Sequence, residues 1–283
     1  MKTGSLFPAR ILHFLAVVLL TGMAGSCFPK AAGGEKRPRA AAPHTLRVMT
    51  YNIHHCNPPS KEASGEIDLE AIVMVIRREA PDLVALQEVD VYTSRSGPVN
   101  QATEIARRLG MKAFFGKAID YGGGAYGVAI LSRYPLADTV VVRLPAGADP
   151  KSEARVLAMA KVTLPQGTAM RFGTTHLDVR NARTRESQVR EIVKVAAGET
   201  LPFIVAGDFN AAVSSPAISL LDEHLTRTCQ QCEATIPVLN PNRAIDFIAY
   251  TRASPFRVLT QKVVPERYAS DHLPVVADLA YGR

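Results

Sequence analysis

Apolar residues recur along this chain in short runs that stop at polar ones. Leu46 to Ile53 alternates and predicts a strand ending in Tyr51-Asn52. His54 to Glu66 reads as a polar, Pro-rich loop. Asp68 can cap a helix whose apolar face is Leu69, Ile72, Val73 and Ile76, and Pro81 stops it. Leu83 to Val89 predicts a second strand, broken on one side by Gln87 and Glu88. Gln101 to Leu109 fits a short helix ended by Gly110, and Lys112 to Lys117 a strand. The glycine run Gly122 to Gly124 lacks the lysine and helix start of a nucleotide loop, so it reads as a turn.

Tyr126–Ser132, Thr139–Arg143, Ala154–Leu164 and Met170–His176 follow as consecutive strands, mostly with short turns, a pattern that predicts antiparallel pairing. Arg183 to Ala197 has a helical face of Val189, Ile192, Val193 and Ala196. Ser215 can cap a helix through Leu221 with Pro216 at its first position. Ile245–Tyr250, Phe256–Val264 and Val275–Leu279 close the chain as strands. Helices interrupt the strands at intervals and do not follow each one. That favours two packed mixed sheets with helices outside.

The stretch around which the rest is arranged is LPFIVAGDFNA, Leu201 to Ala211. Its apolar run predicts a strand buried on both faces. At its end stand Asp208 and Asn210, two residues apart. If the alternation persists through Asn210, both side chains point the same way. Such a pair can orient a water and hold a phosphoryl oxygen, and it is also a common turn sequence.

The N-terminus has a different character. Lys2 and Arg10 precede an apolar run from Ile11 to Leu20, then Ala24-Gly25-Ser26 and Cys27. The run is too short to span a bilayer and fits a cleaved signal peptide. Cleavage before Cys27 resembles a bacterial lipobox, which would make Cys27 a lipidated N-terminus, and plain secretion is the alternative. Residues 28–44 are rich in Ala, Gly, Pro and basic residues and read as a tether. The expected organisation is therefore a signal peptide over 1–26, the lipobox cysteine and tether over 27–44, and one domain over 45–283. The expected location is the bacterial cell envelope, membrane-anchored, or else secreted or periplasmic.

Charge and cysteines narrow the classes. Formal charge is +7, but residues 1–26 carry +2 and residues 28–44 a net +3, which leaves +2 on the domain. The basic balance is thus weak support for nucleic-acid binding. Cys229-x-x-Cys232 has no nearby partners for a zinc site and reads as a local disulfide or a thiol pair, which leaves Cys56 unpaired.

Polar groups recur where the apolar strands stop. Asn52, Glu88, His176 with Asp178 beyond it, Asp208 with Asn210, Asp246, and Asp271-His272 all sit at strand ends that can share one rim. Asn, Glu and Asp are hard oxygen ligands suited to magnesium or manganese and not zinc. Two histidines beside carboxylates suit phosphate contacts or proton transfer.

Taken in order, TYNIHH, PDLVALQEVD, YGVAILSR, THLD, GDFN, IDFIAY and SDHLPV resemble the endonuclease/exonuclease/phosphatase superfamily, over Thr45 to about Asp278. The resemblance implies a four-layered α/β sandwich, deoxyribonuclease I-like, with two central, mainly antiparallel mixed sheets flanked by helices. It implies Glu88 as the main metal ligand, with Asn52 and Asp271 completing or supporting the site for Mg2+ or Mn2+. It implies Asp208 as the residue that handles the attacking water, Asn210 and His176 as phosphate contacts, and His272 beside the scissile phosphate, oriented by Asp246. Arg155 and Tyr126 are further phosphate-contact candidates. The activity implied is a phosphoric ester hydrolase acting on a phospholipid head group, nucleic acid or small phosphodiester. The presence of His176 fits the deoxyribonuclease I, sphingomyelinase, deadenylase and 5-phosphatase branches better than the repair nucleases. Beyond the phosphoester and the membrane, no protein partner is implied and a monomer is expected. The alternative is a secreted or lipid-anchored binding protein that keeps the fold without catalysis.

Overall fold

In the computed structural model, residues 44–147 and 152–282 are described. Cys27 and the leader lie outside them.

Two six-stranded sheets carry the fold. The first contains β1 (His44–Asn52), β2 (Leu83–Val91), β3 (Lys112–Tyr121), β4 (Gly124–Ser132), β11 (Arg257–Val263) and β12 (Val275–Tyr281), in the order β11-β12-β1-β2-β4-β3. The second contains β5 (Leu136–Arg143), β6 (Val156–Thr163), β7 (Ala169–His176), β8 (Phe203–Asp208), β9 (Leu225–Arg227) and β10 (Asp246–Thr251), in the order β5-β6-β7-β8-β10-β9. Each sheet has one parallel pair, β1 with β2 and β7 with β8. Each parallel pair is joined by a helix, as a parallel connection requires. These are α1 (Leu69–Glu79) and α3 (Ala182–Gly198). The remaining helices are α2 (Gln101–Leu109) and α4 (Pro216–His224).

Alternation along the strands builds the layers. Leu46 and Val48 of β1 point between the sheets, where they meet Phe172, Ile204 and Ala206. Met49 and Tyr51 point outward and pack with Ile72, Val73 and Ile76 of α1 and Ile105 of α2. Phe203 and Val205 of β8 likewise pack under Val189 and Ile192 of α3 and Ile218 and Leu221 of α4. The order is thus helix, sheet, sheet, helix, and the central strands are buried on both faces.

Helix ends follow from local chemistry. The Asp68 carboxylate accepts from the Ala71 N–H, Asn100 from Thr103, Asn181 from Arg183 and Thr184, and Ser215 from Ile218. Gly110 ends α2 in the left-handed region.

Two expectations are corrected, and one strand is added. The chain switches sheets between β4 and β5, so Tyr126–Ser132 pairs with β2 and β3 and not with the strand that follows it. The loop His54 to Glu66 contains two 3-10 turns, His54–Cys56 and Pro59–Ser64. The short β9 pairs with β10, and its three residues are too few for a periodic signal. The Cys229–Cys232 disulfide is present and Cys56 is a buried free thiol.

Candidate active site

The topology brings one end of both parallel pairs to a common rim. In the second sheet, His176 ends β7 in register with Asp208, which ends β8, and Asp208 is in turn paired with Asp246, which begins β10. Three functional side chains therefore lie side by side across three strands. In the first sheet, Asn52 ends β1, and the segment before β12 returns beside it. There Ser270 donates from its hydroxyl to the Asn52 carbonyl at 2.7 Å, which fixes Asp271 and His272 at the same rim.

Glu88 reaches the rim through a bulge. Leu86 pairs with Ala129 and Val89 with Gly127, so β2 carries one extra residue against β4. Val84 and Leu86 face the helices, and unbroken alternation would send Glu88 there next. The bulge gives that place to Val89 and frees Glu88, whose φ is +58°. Gln87, beside it, is buried between the sheets and donates to the Thr174 hydroxyl at 3.1 Å. A left-handed backbone at a bulky acidic residue is uncommon and gathers at functional sites.

The strand of Asp208 stops at Asp208. Alternation does not continue to Asn210, which is left-handed at φ +48°. The Asp208 carboxylate accepts from the Asn210 N–H at 2.8 Å, and the Asn210 amide donates to the Leu177 carbonyl at 3.0 Å. The turn, and not an extended strand, is what brings Asn210 to the rim.

A cavity of about 400 Å³ opens here. Glu88, Asp208, Asn210, His176, Asp271, His272, Arg155 and Tyr126 all line it. Asn52 and Asp246 stand behind them, both buried. Asn52 donates from Nδ2 to Glu88 at 3.0 Å and to Asp208 at 3.2 Å, and its oxygen accepts from the His54 N–H. Asp246 accepts from the Thr235 hydroxyl and, at 3.0 Å, pairs with Nδ1 of His272. Asp178 turns away to cap the backbone of Arg180 and Asn181.

The electrostatics separate the two histidines. Burial pushes His272 down, but Asp246, Asp208 and Asp271 outweigh it and hold the ring at about 10. His272 is therefore an imidazolium near neutral pH, its Nε2–H 3.8 Å from Asp208. Burial, then Arg155, then His272 push His176 well below the ordinary histidine value, so it is neutral. Burial, then the Asp246 charge, raise Asp208 to about 7. A carboxylate of that basicity is matched to proton transfer near neutral pH.

The donor set fits a divalent cation. Glu88 and Asp271 are half-buried carboxylates on one cavity, hard oxygen donors of the kind magnesium and manganese take. Asn52 presents its amide nitrogen, not its oxygen, and so steadies Glu88 from behind. His54, His55 and Glu88 also hold ligand-capable atoms within 4.8 Å of one another, and Asp208, Asp246 and His272 do the same.

Sequence reasoning missed Arg95, Tyr121, Glu153 and Arg243, all on the cavity wall. None interrupts an apolar run, so the pattern that marks the others does not reach them.

The Endonuclease/Exonuclease/phosphatase family profile matches residues 49–272. Rat (Rattus norvegicus) nocturnin is 25% identical over 292 residues, which cover 83% of this chain and 66% of that protein. The uncharacterised protein YbhP of Escherichia coli K12 is 26% identical over 251 residues, covering 83% of this chain and 96% of its own length. Among solved structures, an endonuclease/exonuclease/phosphatase from Beutenbergia cavernae superposes with a TM-score of 0.72 at 27% identity, covering 84% of this chain and 72% of that one.

Proposed function

The chain belongs to the Endonuclease/Exonuclease/phosphatase family, and from that premise we propose that it hydrolyses a small phosphoester by direct attack of water, assisted by a divalent cation. The observation that carries this reading is the buried Asp208 carboxylate, set between Nε2 of His176 at 3.5 Å and Nε2 of His272 at 3.8 Å on a cavity it shares with Glu88 and Asp271.

The roles follow from the geometry. Asp208 orients the attacking water and takes its proton. His272 donates from Nε2 to an oxygen of the reacting phosphoryl group, and Asp246 keeps the ring charged and aimed. His176 donates from its own Nε2, and Asn210 and Arg155 add hydrogen bonds as charge builds on the phosphoryl oxygens. These donors are fixed before the substrate arrives, which is the arrangement that favours a charged transition state over water. Glu88 and Asp271 would hold magnesium or manganese. When bound, the ion supplies charge neutralisation at the phosphate and the leaving oxygen.

The cavity volume suits a head group, nucleotide or sugar phosphate. The leader pattern supports export and anchoring through Cys27. Among the described residues no helix is long and apolar enough to cross a membrane.

The test is hydrolysis by purified protein lacking residues 1–27, with magnesium or with EDTA. The panel holds phosphate monoesters and diesters, RNA, DNA and sphingomyelin. Magnesium-dependent release of product from at least one of them is expected. Turnover undiminished in EDTA would overturn the metal-assisted mechanism. Silence on all substrates, with the fold intact, would favour a binding protein.

A further inference from the structure

Arg95 has no place in the chemistry above, yet it lines the same cavity. It lies in the loop after β2 and is held from two sides. Nε and Nη2 donate to the two oxygens of Asp90 at 2.7 and 2.9 Å. Asp90 is fully buried and is further fixed by the hydroxyls of Thr93 and Ser96. The guanidinium also rests on two tyrosines, 4.5 Å from the Tyr121 ring centre and 5.5 Å from that of Tyr126. Those two rings are only 6.2 Å apart. They therefore form a corner on one side of the guanidinium and do not sandwich it.

One edge of Arg95 is taken by Asp90, then, and one face by the tyrosines. Nη1 remains, with no hydrogen-bond partner among the described residues. Neutralising Asp90 does not require the guanidinium to line the cavity. Nη2 also keeps its second N–H, so the Nη1/Nη2 edge still offers the paired donors that planar recognition of a carboxylate or phosphate uses. Arg243, from the loop between β9 and β10, lines the same cavity, is exposed and has no ion-pair partner among the described residues.

We propose that Arg95 anchors a second anionic subsite, so that the substrate is a phosphoester carrying a further phosphate or carboxylate on the group attached to the scissile phosphate. The inference rests on the phosphoester reading of the Asp208 site and names its substrate class. Glu88, Asp208 and Asp271 gather around the scissile position, and the arginine wall receives the distal charge. The Tyr121 ring, which is partly exposed, gives the connecting group an apolar surface to lie on.

The experiment compares ligands that differ only in the distal anion. Fructose 6-phosphate is set against fructose 1,6-bisphosphate, and glycerol 3-phosphate against 3-phosphoglycerate. The pairs separate a distal phosphate from a distal carboxylate at two spans. Binding is measured by calorimetry in magnesium on Asp208→Asn, so that turnover does not intervene. At least one pair is expected to favour the doubly anionic member by about tenfold or more. Arg95→Gln in the same background is expected to bring that ratio close to one, with Arg95→Lys between. Each ratio is read within one protein sample, so partial loss of folded protein does not move it. Binding without discrimination in either pair, or a ratio unchanged by Arg95→Gln, overturns the subsite alone. Failure to bind any of the four ligands overturns the phosphoester site and the subsite with it.

Discussion

Arg155 donates from Nη1 to Nδ1 of His176 at 3.2 Å. A guanidinium cannot accept, so this contact makes Nδ1 the lone-pair nitrogen and puts the His176 proton on Nε2. That proton points toward Asp208, 3.5 Å away. Across Asp208, the Asp246 carboxylate does the opposite to His272 and holds it charged.

The two rings should therefore behave oppositely in solution. In metal-free protein, His176 stays neutral with its proton on Nε2 well below the ordinary histidine range, because burial and Arg155 both lower it. His272 stays charged up to about pH 9, below its value of about 10. Nitrogen-edited NMR of the histidines, with His176→Gln and His272→Gln for assignment, reads this directly. Titration of both rings near pH 6.5 would contradict it.

Removing the Asp246 charge should release His272 from its charged state. In Asp246→Asn, burial is no longer opposed by that neighbour, so the His272 value falls. At pH 7.5 kcat should drop by about 100-fold or more, with a smaller change in KM. Steady-state kinetics check this, and an unchanged kcat would deny His272 its proposed donor role.

Glu88 is expected to hold the cation. Magnesium should raise the melting temperature of the wild type by about 5 °C at a concentration 100-fold above its dissociation constant. Glu88→Gln should lose most of that shift while melting close to the metal-free wild type. Differential scanning calorimetry measures both, and an equal shift in the variant would move the metal site elsewhere.

The residue before Asp208 has no room for a side chain. A Cβ on Gly207 would lie 2.1 Å from the Thr175 carbonyl oxygen, in the β7–β8 pairing that sets His176 beside Asp208. Gly207→Ala should destabilise the protein by about 3 kcal/mol and spread the two side chains apart. Urea unfolding measures the first effect, and a loss under 1 kcal/mol would mean the strands adjust more easily than close packing allows.

Most elements were legible because they are local. Asp68 and Pro81 bracket α1, Gly110 ends α2, and the unbroken run before Asp208 marks a strand covered on both sides. The strand-end polar residues were legible for the same reason, since each interrupts an apolar run. What escaped depends on partners distant in sequence. The bulge that releases Glu88 exists only against the register of β4. The turn at Asn210 is closed by the Leu177 carbonyl of another strand's end. Arg95 and Arg243 reach the cavity from loops, where no periodicity marks which way a side chain faces.

The most direct measurement is turnover of wild type and Asp208→Asn on the best substrate of the panel, with melting curves alongside. The account predicts a loss of about 1,000-fold or more in kcat. It also predicts no loss of melting temperature, because the variant removes a carboxylate that burial holds near 7. Turnover within tenfold of the wild type would contradict the account, since no other residue on the cavity has been given the water.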